Sequence, residues 1–410
     1  MAEETTTQPQ SPEVPEDLAA LAQRRNWPLV VVQQALARGM QPAQLKEIIA
    51  SGMTPQQAMQ AMAARALMMG QTDVQIPPPS FSWMAVPTEW GVRARPGKAG
   101  LRFRDINIGS YGYVPDHWPY DTEIARGSWP AEGVEGMGYS IFEKQEVWAD
   151  NAVDLYEEAI QRRWRPATDI PWDTLQPLPD ALEAAMCQLC TQISQWAYQE
   201  SVILSKWLKE ISYGYIEIKS FLSTQIFEDA RHTEAFRKRA LSNGGALGLE
   251  PPNTFMRTAF EARNYTEMSL MLHLLYGSFM EVLYQYGQAL AHNQAEARLF
   301  SLALQDKARH VAYGVDHLRF VLTRRPDRRE EVHVYLGKAE VAMTKDLRDP
   351  ALSEPLALLL AGSPDRIKEG WAKLSVLRKR QVGNYLRHLE AAGLTEREDR
   401  LKGLRRILDA

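Results

Sequence analysis

The chain is expected to fold as a mainly α helical bundle, on three observations. From Val147 almost to the last residue, apolar side chains recur at the three- and four-residue spacing of helices, and strand signals are scarce. The helical stretches are long and the turns between them short, which makes neighbouring helices antiparallel. Finally, Ala-Arg-His occurs twice in helical context, each time with an acid just before it: 227–236 reads FEDARHTEAF and 305–314 reads QDKARHVAYG.

Bulk properties narrow the class. At 410 residues the chain has room for one large domain with appendages or two to three ordinary ones. A net charge of -4 gives no electrostatic case for nucleic acid or an acidic membrane as partner. The two cysteines, Cys187 and Cys190, sit on a predicted helix without a second pair, so they read as core packing rather than a zinc or redox site. So few cysteines suit a reducing cytoplasm.

Taken in order, residues 1–15 are acidic and polar and are expected to be a disordered tail, without the features of a secretory signal. Residues 16–70 form a small helical appendage, in which GMQPAQLKEI is echoed by GMTPQQAMQA. There Thr54-Pro55 supplies an N-cap and a first-turn proline. Residues 71–145, with IPPPS and many Gly, Pro and aromatic residues, read as a linker and an irregular arm that admits short strands. The bundle itself occupies 146–346, with helices near 147–164, 180–212, 215–241, 256–292, 295–323 and 328–346, and shorter helices fill 347–410. Its most apolar stretch, around 270–283, is interrupted by His273 and Glu281 and falls short of the roughly 18 apolar residues of a membrane span.

Asp229 and His232 are three residues apart, so both reach a common point on one helical face. A single such pair is ordinary surface chemistry, but here the context is duplicated, with Asp306 preceding Ala308-Arg309-His310. Each copy also follows a helix with one glutamate in an apolar and aromatic stretch: Glu200 in QWAYQESVILSKWL and Glu281 in LLYGSFMEVLYQYG. For glutamate and acid/His pair to lie at one height, the hairpin turns must fall near Gly214 and near His292-Asn293, both plausible helix breaks. Two related hairpins thus aim acids and histidines at one interior point, and a metal ion compensates buried charge of that kind directly.

This pattern resembles the ferritin-like di-iron carboxylate superfamily, in which two helices each give a Glu and two others a Glu-x-x-His. Over about 145–345 it looks most like the ribonucleotide reductase small-subunit and ligand-binding oxidase branch, through DKARHVAYG and the approach helix DLYEEAIQRRWRPATDIPWD. The resemblance implies a four-helix ferritin-like core with extra helices. It also implies two metal ions, iron with iron or manganese with iron, or only one, and dioxygen as co-substrate. Glu200, Asp229, His232, Glu281 and His310 then become ligands. Glu228 and Asp306 become the acids that orient a histidine of the opposite half, although an exchange of roles between Glu228 and Asp229 stays open. A reductase-type tyrosine is absent, since Phe236 holds that place; Tyr198, Tyr284 and Tyr313 are further candidates to flank the site.

One position departs from the family pattern. Lys307 stands where a glutamate ligand belongs, and deprotonating a lysine at pH 7 costs about 4.6 kcal/mol before its neighbours act. The site still binds two metals with another group replacing the carboxylate; or Lys307 closes a metal-free site with ion pairs, making the chain a non-catalytic subunit of a multicomponent oxygenase; or Lys307 is itself catalytic beside one metal. The functional expectation is an oxygen-dependent oxidase or monooxygenase of a small apolar or aromatic substrate, served by an external electron donor, as a homodimer or hetero-oligomer. The remaining histidines carry less: His273 and His317 lie two turns from the motif heights, and His117, His292, His333 and His388 read as exposed or turn residues.

Overall fold

A computed structural model describes residues 14–37, 40–55, 57–58, 81, 84, 91–109, 112–118, 138–244 and 246–409. Nearly all of the expected tail, the end of the appendage and the IPPPS stretch lie outside these residues. The chain divides into two compact units, Met1–Thr88 and Glu89–Ala410.

In the first unit, α1 (Glu16–Arg24), α2 (Leu29–Ala37) and α3 (Pro42–Ala50) bury Leu18, Trp27, Val32, Leu45 and Ile49 against one another. The Trp27 indole donates to the Met53 carbonyl at 3.1 Å. Thr54 and Gln57 exchange backbone-to-side-chain bonds in a reciprocal cap, as Thr-x-x-Gln before a helix favours.

The second unit is a helical bundle, and among its described residues the only β-pairing is isolated bridges such as Ile141 to Ile211, so the short strands that 101–145 admitted do not form there. After α4 (Ala152–Gln161) come the two longest helices of the first hairpin, α5 (Asp180–Glu210) and α6 (Ile216–Gly244). Their turn includes Gly214, where a Cβ would fall 1.9 Å from the Trp118 indole, so only glycine admits that ring.

The second hairpin starts differently from expectation. The stretch expected as one helix over 256–292 is broken into α7 (Thr254–Phe260) and a helix that starts at α8 (Tyr265–Ser269), because the Asn264 side chain accepts from the Glu267 backbone and caps a new start. It continues through a π-helical segment, Leu270–Tyr276, into α9 (Gly277–Ala289). Asn293 then caps α10 (Gln294–Arg324), and Glu296 accepts from the His292 backbone in return. Gly314 lets the two helices close, since a Cβ there would sit 2.4 Å from that of His273.

These four helices surround one interior, with α5 packed along α6, α9 along α10, and α6 meeting α10. The rest, α11 (Arg329–Asp346), α12 (Pro350–Ala361), α13 (Ile367–Ala391) and α14 (Arg405–Asp409), follow in the C-terminal part, where α12 covers α5 and α13 lies across α9. Among the described residues no helix is long and apolar enough to cross a membrane.

Candidate metal centre

Halfway along the four helices, apolar packing gives way to a cluster of ionisable side chains. Glu200 on α5, Asp229 and His232 on α6, and Lys307 and His310 on α10 are each almost wholly buried. One oxygen or nitrogen atom each from Glu200, Asp229 and His310 lies within 4.8 Å of the others. His232 joins them, with Nδ1 3.9 Å from Asp229 Oδ1.

The Lys307 ammonium lies between the two acids. It donates to both Glu200 oxygens, at 2.7 and 2.9 Å, and stands 3.8 Å from Asp229 Oδ1. Burial works against its charge, but Glu200 and then Asp229 outweigh burial and hold its pKa above the ordinary lysine value. Lys307 is therefore a fixed cation here, occupying a place between carboxylates that a metal ion would otherwise take.

Around this core runs a second layer with approximate two-fold logic. His232 Nε2 meets Asp306 Oδ2 at 3.1 Å, and His310 Nε2 meets Glu228 Oε2 at 2.8 Å, so each imidazole is held by an acid of the opposite hairpin. The arginines of the repeated tripeptide complete the crossing. Arg309 Nη2 donates to Glu228 and Asp306 at 2.5 Å each, and Arg231 Nη2 donates to Asp306 at 3.0 Å. Asp306 is burdened by burial, but its bond to His232 and the two guanidinium groups keep its carboxyl below the usual range. Burial and Asp306 push Glu228 up to about 8, against the pull of Arg309 and Arg231.

This layer fixes the tautomers. Burial lowers the pKa of both histidines, which are therefore neutral. An ionised carboxylate only accepts, so the proton of His232 sits on Nε2 and the Nδ1 lone pair is free; the same holds for His310 while Glu228 is ionised. Both Nδ1 atoms and both Asp229 oxygens are buried without a hydrogen-bond partner. Four buried polar atoms without a hydrogen-bond partner in one enclosed place are costly, and two neutral imidazoles with a carboxylate are a donor set that suits a transition metal.

Charge limits how many ions fit. With the four acids ionised, as metal binding requires, Glu200 and Asp229 against Lys307 leave the inner groups at one net negative charge, while Glu228 and Asp306 balance Arg231 and Arg309. One divalent ion takes this enclosed site from one net negative to one net positive charge, whereas two leave it with a large uncompensated positive charge. Without a metal, burial and then Glu200 push Asp229 well above the usual carboxylate range, so a proton takes the cation's place.

The structure separates Glu281 from this group. Its carboxylate accepts from Asn384 Nδ2 at 2.8 Å and lies 3.6 Å from His388 Nε2, both on α13, and burial pushes it up to about 7. The expectation that Glu281 is a ligand rested on height along the helix; one residue's rotation, about 100°, turns it from the interior to the α9–α13 seam. The interior position is held instead by Tyr276, whose ring lies 5.2 Å from Lys307 Nζ and whose hydroxyl lies toward Glu200. Asp229 faces the lysine while Glu228 faces His310 and Arg309, so those two acids have not exchanged places.

Other candidates fall elsewhere. Tyr198 is 57% exposed and does not flank the centre. Tyr284 does, edge-on to His232 and stacked on Phe236, while Tyr313 bonds Tyr265 away from it. His273 has both ring nitrogens engaged, by Ser269 and Gln225, and His317 is held by Trp148 and Thr266. His333 is buried against Arg397 and Glu396 rather than exposed, and His388 lies half-buried beside Ser278. Both cysteines are free and buried in packing contacts. Trp164, which the sequence did not single out, stacks on His232 and donates from its indole to Asp306 at 2.8 Å; its only sequence signal was an aromatic at the end of the approach helix.

Fold and site together define an all-helical bundle enclosing a histidine–carboxylate centre with a lysine inside it. No protein-family model matches the chain, and no curated protein matches it in sequence. Among solved structures it is similar to xenon-pressurized phenol hydroxylase from Pseudomonas sp. OX1, with a TM-score of 0.45 and 17% identity over 63% of this chain and 52% of that one. The matched part thus spans about half of that protein's chain.

Proposed function

We propose that the centre binds one redox-active transition metal, iron or manganese, through Asp229, His232 and His310, with Glu200 shared between the metal and Lys307. The chain is then an oxygen-dependent oxidase or oxygenase acting on a small apolar or aromatic compound, supplied with electrons by a separate donor protein. The observation that carries this reading is a set of buried atoms, two imidazole Nδ1 and both Asp229 oxygens, that lie together without a hydrogen-bond partner. Two histidines and one carboxylate with further positions open are the donor set of non-haem iron oxygenases. When bound, such a metal supplies a redox-active position for dioxygen.

The protein's own groups do the rest. Asp306 and Glu228 hold the imidazoles by Nε2, which fixes their orientation and makes them better donors. Lys307 holds Glu200 by two hydrogen bonds and keeps a proton beside the centre. Tyr284, Phe236 and Tyr276 exclude water and favour an apolar substrate.

A second reading has its own support, since Lys307 already neutralises Glu200: the chain is a non-catalytic subunit whose site is closed by that ion pair. Metal analysis of protein grown with iron and manganese separates the two. About one metal ion per chain is expected; none under generous supply favours the subunit, and two contradict the place assigned to Lys307.

A further inference from the structure

One buried group beside the centre is left over once the metal ligands and their supports are accounted for. Gln225 is 0% exposed and stands one turn before Asp229 on the same face of α6. Its Oε1 faces His273 Nε2 at 3.1 Å, while its Nε2 is buried without a hydrogen-bond partner. Side chains at this spacing start about 5–6 Å apart, so the free nitrogen belongs to the layer next to the unpartnered Asp229 oxygens.

The carboxamide is held in place from the other hairpin. His273 lies wholly buried in the π-helical segment, and its Nδ1 meets Ser269 Oγ at 2.8 Å. Burial, then His317 and Lys307, push its pKa down to about 3, so the ring is neutral. A neutral ring that accepts from Ser269 at Nδ1 donates from Nε2, and Gln225 Oε1 accepts that bond. Gly314, one turn after His310 on α10, makes room for His273. Turned the other way, the carboxamide would set its oxygen toward the Asp229 carboxylate, acceptor against acceptor, so the N–H group belongs on that side.

A metal ion satisfies Asp229 and the imidazole Nδ1 atoms, but an amide N–H has no lone pair to give it. The donor therefore calls for an acceptor that the chain itself does not supply. We propose that Gln225 is a positioning residue, offering a fixed N–H donor to one small molecule lodged between it and Asp229. In the resting protein this is a single water, of the kind that typically satisfies buried polar groups, and an anion the size of azide replaces it in the metal-loaded protein. That dioxygen uses the same place rests on the function proposed above; the donor and its small ligand do not.

Two measurements on the full-length protein test this. In crystals of the chelator-treated protein, density for one water is expected about 3 Å from both Gln225 Nε2 and an Asp229 oxygen. In the ferric protein, azide titrated by visible absorption is expected to bind about ten- to a hundredfold more weakly to Gln225→Met, which keeps the side-chain length and drops the donor; that is the worth of one hydrogen bond to a charged group. A merely structural Gln225 would change the thermal midpoint or the metal content and leave azide affinity alone. His273→Leu releases the carboxamide without removing its N–H and is expected to give an intermediate loss; it carries the comparison if Gln225→Met does not fold. A Gln225 nitrogen that contacts only protein atoms in the crystal, or azide affinity unchanged in the variants, overturns the proposal. If the parent protein binds no metal, the metal reading falls and the crystal alone decides this one.

Discussion

Lys307→Met replaces the buried ammonium by an isosteric apolar chain and shows what that charge does. In the metal-free protein the substitution removes both hydrogen bonds to Glu200 and leaves two acids, Glu200 and Asp229, with no cation between them. Breaking a buried pair by removing one partner costs about 3–5 kcal/mol. Protonating Glu200 caps that cost, since neutralising an ordinary glutamate at pH 7 takes about 3.7 kcal/mol. The chelated variant is therefore expected to lose about 3–4 kcal/mol, a fall of roughly 4–6 °C in the unfolding midpoint for a unit of this size. Anaerobic ferrous iron restores part of the loss, because a divalent ion takes over the charge, and a ligand at a hundred times its Kd contributes about 2.7 kcal/mol. Scanning calorimetry of both proteins, with chelator and with iron, reads this. A chelated variant melting within 2 °C of the parent, with no response to iron, refutes the placement of a charged lysine between these acids.

Other outcomes follow from the same geometry. Glu281→Gln is expected to leave metal content unchanged, because its carboxylate belongs to Asn384 and His388; metal analysis showing a loss contradicts that. Trp164→Phe keeps the ring beside His232 but removes the donor to Asp306, and metal affinity by chelator competition is expected to fall about 10–100-fold, the usual cost of losing such a support. Away from the centre, Glu296 is opposed by burial but held down to about 2 by bonds from His292 and Arg239. Its folded pKa is below the ordinary glutamate value, so its stabilisation, about 3 kcal/mol, is present above pH ~4.5 and lost as pH falls toward 2. Urea midpoints measured between pH 6 and 3 are expected to fall less steeply in Glu296→Gln; identical slopes contradict the assignment.

Much of the centre could be read before any coordinates, and what escaped did so for definite reasons. Duplication of Ala-Arg-His marked the two hairpins, and the two turns lie where equal helix heights require them, at 211–215 and at 290–293. Glu281 shows the limit of that reasoning, because a midpoint fixes how far along a helix a residue lies but not which way it points. The π-helical segment just before it and the cap at Asn264 are tertiary outcomes that periodicity does not signal. Arg231 and Arg309 stood inside the repeated tripeptide, yet their role needs both hairpins at once: each bonds an acid of the other. Trp164 reaches the centre from the loop after α4, 142 positions from Asp306, and nothing local announces so distant a partner. Lys307 was conspicuous as a departure, but its consequence, a lysine acting as one of the site's cations, depends on the distances to Glu200 and Asp229.

Diffraction data collected at the iron absorption edge from crystals of the iron-loaded protein put the main claim to its most direct test. One anomalous peak is expected, flanked by Nδ1 of His232, Nδ1 of His310 and the Asp229 carboxylate, with the Lys307 ammonium still bound to Glu200. Two peaks bridged by Glu200, or a single one beside Glu281, contradict the account.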